Sequence, residues 1–455
     1  APNRISASMW RPRRFTTLLG CVVALLSAAP VARALVSVKQ ESAISSSAGS
    51  VANAYPSSAG FGAAVASADL DGDGSMELLV GAREDGDDGE GSLYVIFLHA
   101  NGTVRDDLRI ANGDGVLTLA GGDAFGSCVA SVGDLDMDGG VDILVGAMRR
   151  GTSGSFFVIG MSDAGSVDSV IAEIGDDQLT SSLGPSAMFG SACAHVDVST
   201  SSLATAAAYV AVGAMGEWAG AVYILALNST GAVVGEDLIS PGVGGLGLNL
   251  ADAALFGAAV ADLGDVDGDG TVDLAVGAPG ANQNGTVYVV FLTVSEEGAV
   301  GVAGKAAIAA PADVLAGESF GTAVAAAGNR TGDGVRDVFV GCGAVRDATG
   351  APVSTASGAL YLVAINASGS SLESARLSAE DGLPRPGSGA AADVVAALAV
   401  VGDVDEDGGD TVALGASRLP DSEGSVRVLL LAQQSPAPPP LPSLPPSPPP
   451  SPPPP

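Results

Sequence analysis

Aromatic residues make up only 4% of this 455-residue sequence, and Lys and Arg total 19 against 51 Asp and Glu. The first shortage stands beside 64 glycines and a 47% apolar fraction rich in Ala, Val and Leu. That balance argues against long helices and for many short strands joined by tight turns. The length suffices for a large core. The second shortage argues against nucleic acid and anionic membrane as partners, because the formal charge is −32. All the acids but only 14 of the cations lie after residue 34, so a chain starting at residue 35 carries −37. Such a charge opposes compaction unless the acids spread over the surface or cations neutralise them. Their positions favour the second. Histidine is rarer still, with only His99 and His195. No HExxH or GxSxG stretch occurs and nothing pairs a nucleophile with a base, so the sequence reads as a non-enzyme. Of four cysteines, Cys21 falls in a segment expected to be removed. The odd remainder, Cys128, Cys193 and Cys342, is no disulfide framework, and the reading prefers small buried thiols to a Cys128–Cys193 bridge.

Both ends are biased in composition. A basic stretch, Met9 to Arg14, precedes an apolar run from Phe15 to Ala29 and a small-x-small site at Ala32-Arg33-Ala34. This predicts a secretory signal peptide over residues 1–34, starting at Met9 and cut after Ala34. No later apolar run reaches the roughly 20 residues of a membrane-spanning helix. Residues 433–455 are dominated by proline and predict a polyproline II stalk of roughly 65 Å. It resembles the hydroxyproline-rich stretches of plant and algal cell-wall glycoproteins. Between these lies the folded domain, 35–432. Asn-x-Ser/Thr sequons start at Asn101, Asn228, Asn284, Asn329 and Asn366. Those at 101, 228 and 366 share one place, just after an apolar strand, as exposed turns of a secreted protein would.

Internal repetition organises that domain. Phe-Gly recurs at 61, 125, 189, 256 and 320. In the best copies an Asp-rich loop follows, then an apolar run ending in Gly-Ala, as in FGAAVADLGDVDGDGTVDLAVGA (256–278). A third strand (SLYVIFL, AVYILAL, TVYVVFL) and a fourth segment complete each unit. Four short strands per unit with Gly-rich turns describe one antiparallel sheet, and radial packing of such sheets is a β-propeller. The sixth unit stops after its third strand. VKQESAIS (38–45) resembles the missing fourth segment, so the N-terminal strand is expected to close a ring of six blades, with seven as the alternative.

The Asp-rich loops carry the chemistry. Asp69, Asp71, Asp73, Ser75 and Glu77 occupy positions 1, 3, 5, 7 and 9 of the first. The second has Asp134, Asp136, Asp138, Gly140 and Asp142, and the fourth Asp265, Asp267, Asp269, Thr271 and Asp273. A tight turn folds alternate side chains inward, glycine permits the left-handed backbone it needs, position 7 offers a carbonyl, and the position-9 acid closes the cup. Several flexible hard oxygens suit Ca²⁺ better than Mg²⁺ or Zn²⁺. Without an ion the carboxylates repel one another. The loops are not EF-hands, because Val80, Val145 and Val276 stand at position 12. Two loops are weaker. Asn329, Thr331, Asp333, Val335 and Asp337 form one. The other has Asp403, Asp405 and Asp407 but Thr411 at position 9, with Asp410 pointing to the other side of the strand. The third unit has lost its acids.

Phe-Gly, then DxDGDGxxDL, then VGAP at Val276–Pro279, resembles the FG-GAP repeat of integrin α-chain propellers, across 36–431 and in five of six units. The resemblance implies an all-β propeller whose Asp-rich hairpins bind Ca²⁺ on one face while loops of the other face meet a ligand or partner chain. It departs from integrins in its six blades, where theirs have seven, and in carrying no ligand motif. Trp218, in GEWAGAVY, reads as a packing residue. The function expected is an extracellular adhesion or ligand-binding module with structural calcium, acting on a protein or glycan of cell wall or matrix. The alternatives are a lectin-like propeller, against which few aromatics argue, and a calcium-dependent polysaccharide-active enzyme.

Overall fold

The computed structural model describes residues 38–45, 59–99, 101–113, 115–162, 165–198, 205–295, 298–315, 318–344, 358–377, 395–404, 409–417 and 424–431. The expected signal segment and proline-rich tail lie outside them. The described residues form six four-stranded antiparallel sheets, with one short 3₁₀ turn at Asp176–Gln178. This is an all-β, six-bladed propeller, as the repeat predicts.

Five blades are continuous in sequence, spanning 61–111, 125–174, 189–239, 259–309 and 318–377. The sixth takes three strands from 397–431 and its fourth from Val38–Ile44. That strand pairs antiparallel with Ser425–Leu431, from Val38 opposite Leu431 to Ile44 opposite Val426. The first strands of all six blades line a common channel through small side chains such as Ala64, Ala192, Ala259, Ala323 and Ala397.

The Phe-Gly and Gly-Ala signatures form the seams between blades. Gly81 lies near the end of the second strand of blade one, and a Cβ there would lie 2.0 Å from the carbonyl oxygen of Gly126 in blade two. Gly126 has φ +86°, and its own Cβ would lie 2.4 Å from the carbonyl of Ser92. Only glycine fits either place. Gly126 and the other Phe-Gly glycines each follow a fully buried Phe, whose burial contributes roughly 1.5–3 kcal/mol. Phe61 stands edge-on to Tyr94 at 5.4 Å and Phe125 to Phe157 at 5.5 Å. Gly91 bridges to Phe125, and Gly424 bridges to Phe61, the same contact closing the ring. In blade six Val395 lies against Gly341 where the other seams have glycine.

One expectation is corrected. Cys128 and Cys193 form a disulfide, with Cα atoms 5.7 Å apart, while Cys342 is a buried free thiol. The bridged residues sit on the first strands of blades two and three, where the channel brings consecutive blades close. Their 65-residue separation, one more than the 64 between Phe125 and Phe189, sets them one strand position apart on adjacent first strands. The cross-link therefore ties the blade that lost its acidic loop to its neighbour.

Each blade has two ends. Hairpins joining strands one to two and three to four share one face, and the remaining connections share the other. The hairpin sequons are on the first face, but not at one register. Asn228 and Asn366 open their turns, whereas His99 holds that place in blade one and Asn101 follows two residues later.

Candidate metal centre

The acidic loops are the one-to-two hairpins, so they share a face of the disc. Their own backbone shapes them. Asp265 Oδ1 accepts from Gly268 N–H at 2.7 Å and Asp269 N–H at 3.0 Å, and its Oδ2 accepts from Gly270 N–H at 2.9 Å. Asp134 likewise accepts from Asp138 and Gly139 N–H, and Asp69 from Gly74 N–H. The position-3 acids Asp71, Asp136 and Asp267 each accept the N–H of the position-5 residue at 3.2 Å. The position-5 acids accept the N–H of Ser75, Gly140 and Thr271 at 2.7, 2.8 and 2.7 Å. Gly140 is obligatory, since a Cβ there would lie 1.7 Å from the carbonyl of Met161.

The position-9 acids are fully buried and have a second role that sequence spacing did not disclose. Asp273 Oδ2 accepts from Val266 N–H at 2.8 Å and its Oδ1 from Leu292 N–H, on the third strand, at 3.0 Å. Asp142 does the same with Leu135 and Met161, and Asp337 with Arg330 and Ile365. The carboxylate thus ties the hairpin to the blade. In blade one, Glu77 Oε2 accepts from Leu70 N–H at 2.8 Å, while its Oε1 is buried without a hydrogen-bond partner. Asp69 Oδ1 is also buried and unpartnered. Burial pushes Glu77 up to about 7, with Asp71, Asp73 and Asp69 adding repulsion and the Leu70 N–H opposing it. Burial likewise raises Asp273 to about 6, and raises Asp142 and Asp337.

Three groups bring carboxylate oxygens within 4.8 Å of one another: Asp69, Asp71 and Glu77; Asp134, Asp136 and Asp142; Asp265, Asp267 and Asp269. Asp73, Asp138 and Asp273 border them. The hard-oxygen donor set and the orphaned oxygens of Asp69 and Glu77 fit a divalent cation, whose charge would supply what the buried carboxylates lack. The fifth loop repeats the turn with Asn329 at position 1, its Oδ1 accepting from Gly332 and Asp333 N–H, and the Val335 N–H donating to Asp333 Oδ1. Thr331 Oγ1 lies 3.4 Å from Asn329 Oδ1. In the sixth loop Asp405 and Asp407 lie outside the described residues. Thr411 Oγ1 takes the place of the position-9 acid, 3.4 Å from Val404 N. Asp410 points away, as its register implies, and pairs with Arg330 of blade five.

Two further features escaped the sequence pattern. Arg105, on the fourth strand of blade one, donates to Asp73 Oδ2 at 3.1 Å and Asp71 Oδ2 at 3.2 Å, and its guanidinium lies over Phe97. The corresponding bulge residues are Asp168, Val234, Ala303 and Leu372 in the next four blades and Lys39 in blade six, so a cation stands at this position in blades one and six. Trp218 does not pack: it is 82% exposed, on the face opposite the acidic loops.

Comparison with known proteins agrees with the repeat. The FG-GAP repeat family model matches residues 61–96 and 256–290, within blades one and four. Integrin alpha-4 of Xenopus laevis is 34% identical over 91 residues, 20% of this chain and 8% of that protein. Integrin alpha-3 of Mus musculus is 36% identical over 108 residues, 23% of this chain and 10% of its own length. The matched part is thus a tenth or less of each relative. Among solved structures, a chain from the crystal structure of BBS1N in complex with ARL6DN, soaked with mercury, aligns over 89% of this chain and 99% of its own. Its identity is 12% and its TM-score 0.40, and no argument rests on it.

Proposed function

We propose that this integrin-α-like propeller of FG-GAP repeats is an extracellular ligand-binding module whose acidic hairpins hold structural Ca²⁺. One observation carries the calcium reading. Blade one keeps two buried carboxylate oxygens, Asp69 Oδ1 and Glu77 Oε1, without a partner inside an otherwise hydrogen-bonded loop. A buried anion left so is costly unless a cation completes it. Asp69, Asp71, Asp73 and Glu77 would hold one ion, Asp134, Asp136, Asp138 and Asp142 a second, and Asp265, Asp267, Asp269 and Asp273 a third. Carbonyls of Ser75, Gly140 and Thr271 would add donors. Asn329, Asp333 and Asp337 offer less charge and a weaker site. The ion supplies positive charge that offsets carboxylate repulsion, and the hairpin and its blade keep their shape.

Extracellular placement follows from the signal-like segment 1–34, the hairpin sequons and the proline-rich stretch 433–455, and agrees with the integrin α likeness. No helix among the described residues is long and apolar enough to cross a membrane. The partner is an extracellular protein or glycan of wall or matrix. Binding is favoured over catalysis because the two histidines, His99 and His195, lie in different blades.

Thermal unfolding with and without chelator tests the reading. At calcium one hundred times its dissociation constant each site adds about 2.7 kcal/mol, so three sites raise the melting temperature by many degrees. An identical melt in EDTA and in millimolar calcium refutes it.

A further inference from the structure

Among the described residues, the face opposite the acidic hairpins carries a groove with an exposed tryptophan on its rim. It lies between the connection joining the second and third strands of blade three and the segment 240–252 leading to blade four. Small Ala219, Gly220 and Ala221 line it, together with apolar Leu238, Val243, Leu248 and Leu250. Trp218 stands on its rim, 82% exposed, at a backbone φ of +50° that non-glycine residues seldom adopt. Its indole N–H donates to Glu217 Oε1 at 3.1 Å, and Glu217 Oε2 accepts from Gly184 N–H at 2.9 Å. The loop therefore fixes the ring by its edge and leaves its faces to solvent. A large apolar ring held in water in a strained conformation indicates a use in binding.

The chemistry of the lining narrows the ligand. Ser240, Asn249 and Asp252 complete the rim with Glu217, and among the described residues no Lys, Arg or His lines the groove. Anionic ligands are thus disfavoured; Glu217 and Asp252 only accept, while Ser240 and Asn249 both donate and accept, a set that suits hydroxyl groups. Glu217 already receives two hydrogen bonds, so a basic peptide side chain would find Asp252 as its one unengaged carboxylate. A neutral or amino-bearing saccharide suits better. Its ring stacks C–H groups on the indole face while several hydroxyls reach Ser240, Asn249 and Asp252. The groove, about 390 Å³, falls in the range of roughly 300–1,000 Å³ usual for small-molecule sites.

We infer that the Trp218 groove is a saccharide-binding site for a neutral or amino sugar of a polysaccharide chain. This deepens the reading of the propeller as a ligand-binding module and does not depend on the metal loops directly. The chain has only two tryptophans, Trp10 and Trp218. In the full chain carrying Trp10→Phe, tryptophan fluorescence therefore reports this groove alone. Chito-, cello-, xylo- and galacto-oligosaccharides are titrated in millimolar calcium, with a tetra-arginine peptide and a sulfated oligosaccharide as the other arms. The expected result is a saturable blue shift with at least one neutral or amino oligosaccharide and none with the sulfated one. By calorimetry, Trp218→Ala in the native background weakens binding of that oligosaccharide at least tenfold, with an unchanged melting temperature. Asp252→Asn gives a smaller loss. Absence of a shift with every neutral and amino sugar, or a response to the peptide alone, overturns the proposal. So does binding that survives Trp218→Ala. The Asp265→Asn variant, on the opposite face, separates the two readings: it is expected to lose calcium stabilisation and keep the fluorescence response in calcium.

Discussion

Removing one negative charge from the first acidic loop should stabilise the protein without calcium and weaken it with calcium. The perturbation is Glu77→Gln. Glu77 is fully buried, three aspartates surround it, and one of its oxygens has no partner. Burial and that repulsion put its carboxyl at about 7, against an ordinary value of 4.5. The protonated form therefore favours folding. Its contribution is complete below about pH 4.5 and is lost as pH rises through about 7. At about 1.4 kcal/mol for each pH unit between those values, the loss is at most about 3 kcal/mol. Glutamine keeps an oxygen for the Leu70 N–H and places an uncharged NH₂ group among the aspartates. Urea unfolding in EDTA should show the native chain losing up to about 3 kcal/mol between pH 5 and pH 8 relative to Glu77→Gln. Asp142, Asp273 and Asp337 contribute the same sign to both chains, so the comparison isolates Glu77. At pH 8 without calcium the variant should be the more stable protein, and in millimolar calcium the less stable. Equal destabilisation by Glu77→Gln in both conditions, with no difference in pH dependence, would show that the carboxylate serves only as a backbone clamp.

Other perturbations test separate parts of the account. Arg105→Ala removes the guanidinium from Asp71 and Asp73 and should lower stability in EDTA while raising calcium affinity of the first loop several-fold, measured by titration calorimetry. Gly126→Ala forces a Cβ to within 2.4 Å of the Ser92 carbonyl at φ +86°. It should cost at least about 2 kcal/mol by urea unfolding, since backbone strain alone accounts for about 1–3. Reduction of the Cys128–Cys193 bridge, or Cys128→Ala with Cys193→Ala, should lower stability by up to about 4 kcal/mol, as expected for a loop of 65 residues.

The parts of the molecule legible in sequence are those that recur. Phe-Gly at near-constant spacing marks five of the six seams because each of these imposes the same steric demand on Gly81, Gly126 and their counterparts. The segment 38–45 could be matched to a missing strand because a propeller must close. Alternation in the acidic loops identified the facing carboxylates for the same reason. Features that do not recur from blade to blade were hidden. Cys128 and Cys193 are about one repeat apart, a regularity that hints at adjacency, but odd cysteine number argued the other way. Arg105 lies 32 and 34 residues from its partners, and no rule of spacing predicts that its strand bulge aims it at them. Trp218 looked like packing because tryptophan usually is. Its exposure depends on a left-handed backbone that composition does not reveal. The double role of Asp142 and Asp273 was invisible too, since their second backbone partner comes from the third strand.

The central claim is that the acidic hairpins are calcium sites on one face of the disc. Anomalous diffraction from crystals grown in calcium tests it most directly. Peaks are expected within the loops 69–77, 134–142 and 265–273, coordinated by their carboxylates and position-7 carbonyls, and none in the third hairpin. Empty loops at saturating calcium, with the buried oxygens of Asp69 and Glu77 still unpartnered, would contradict it.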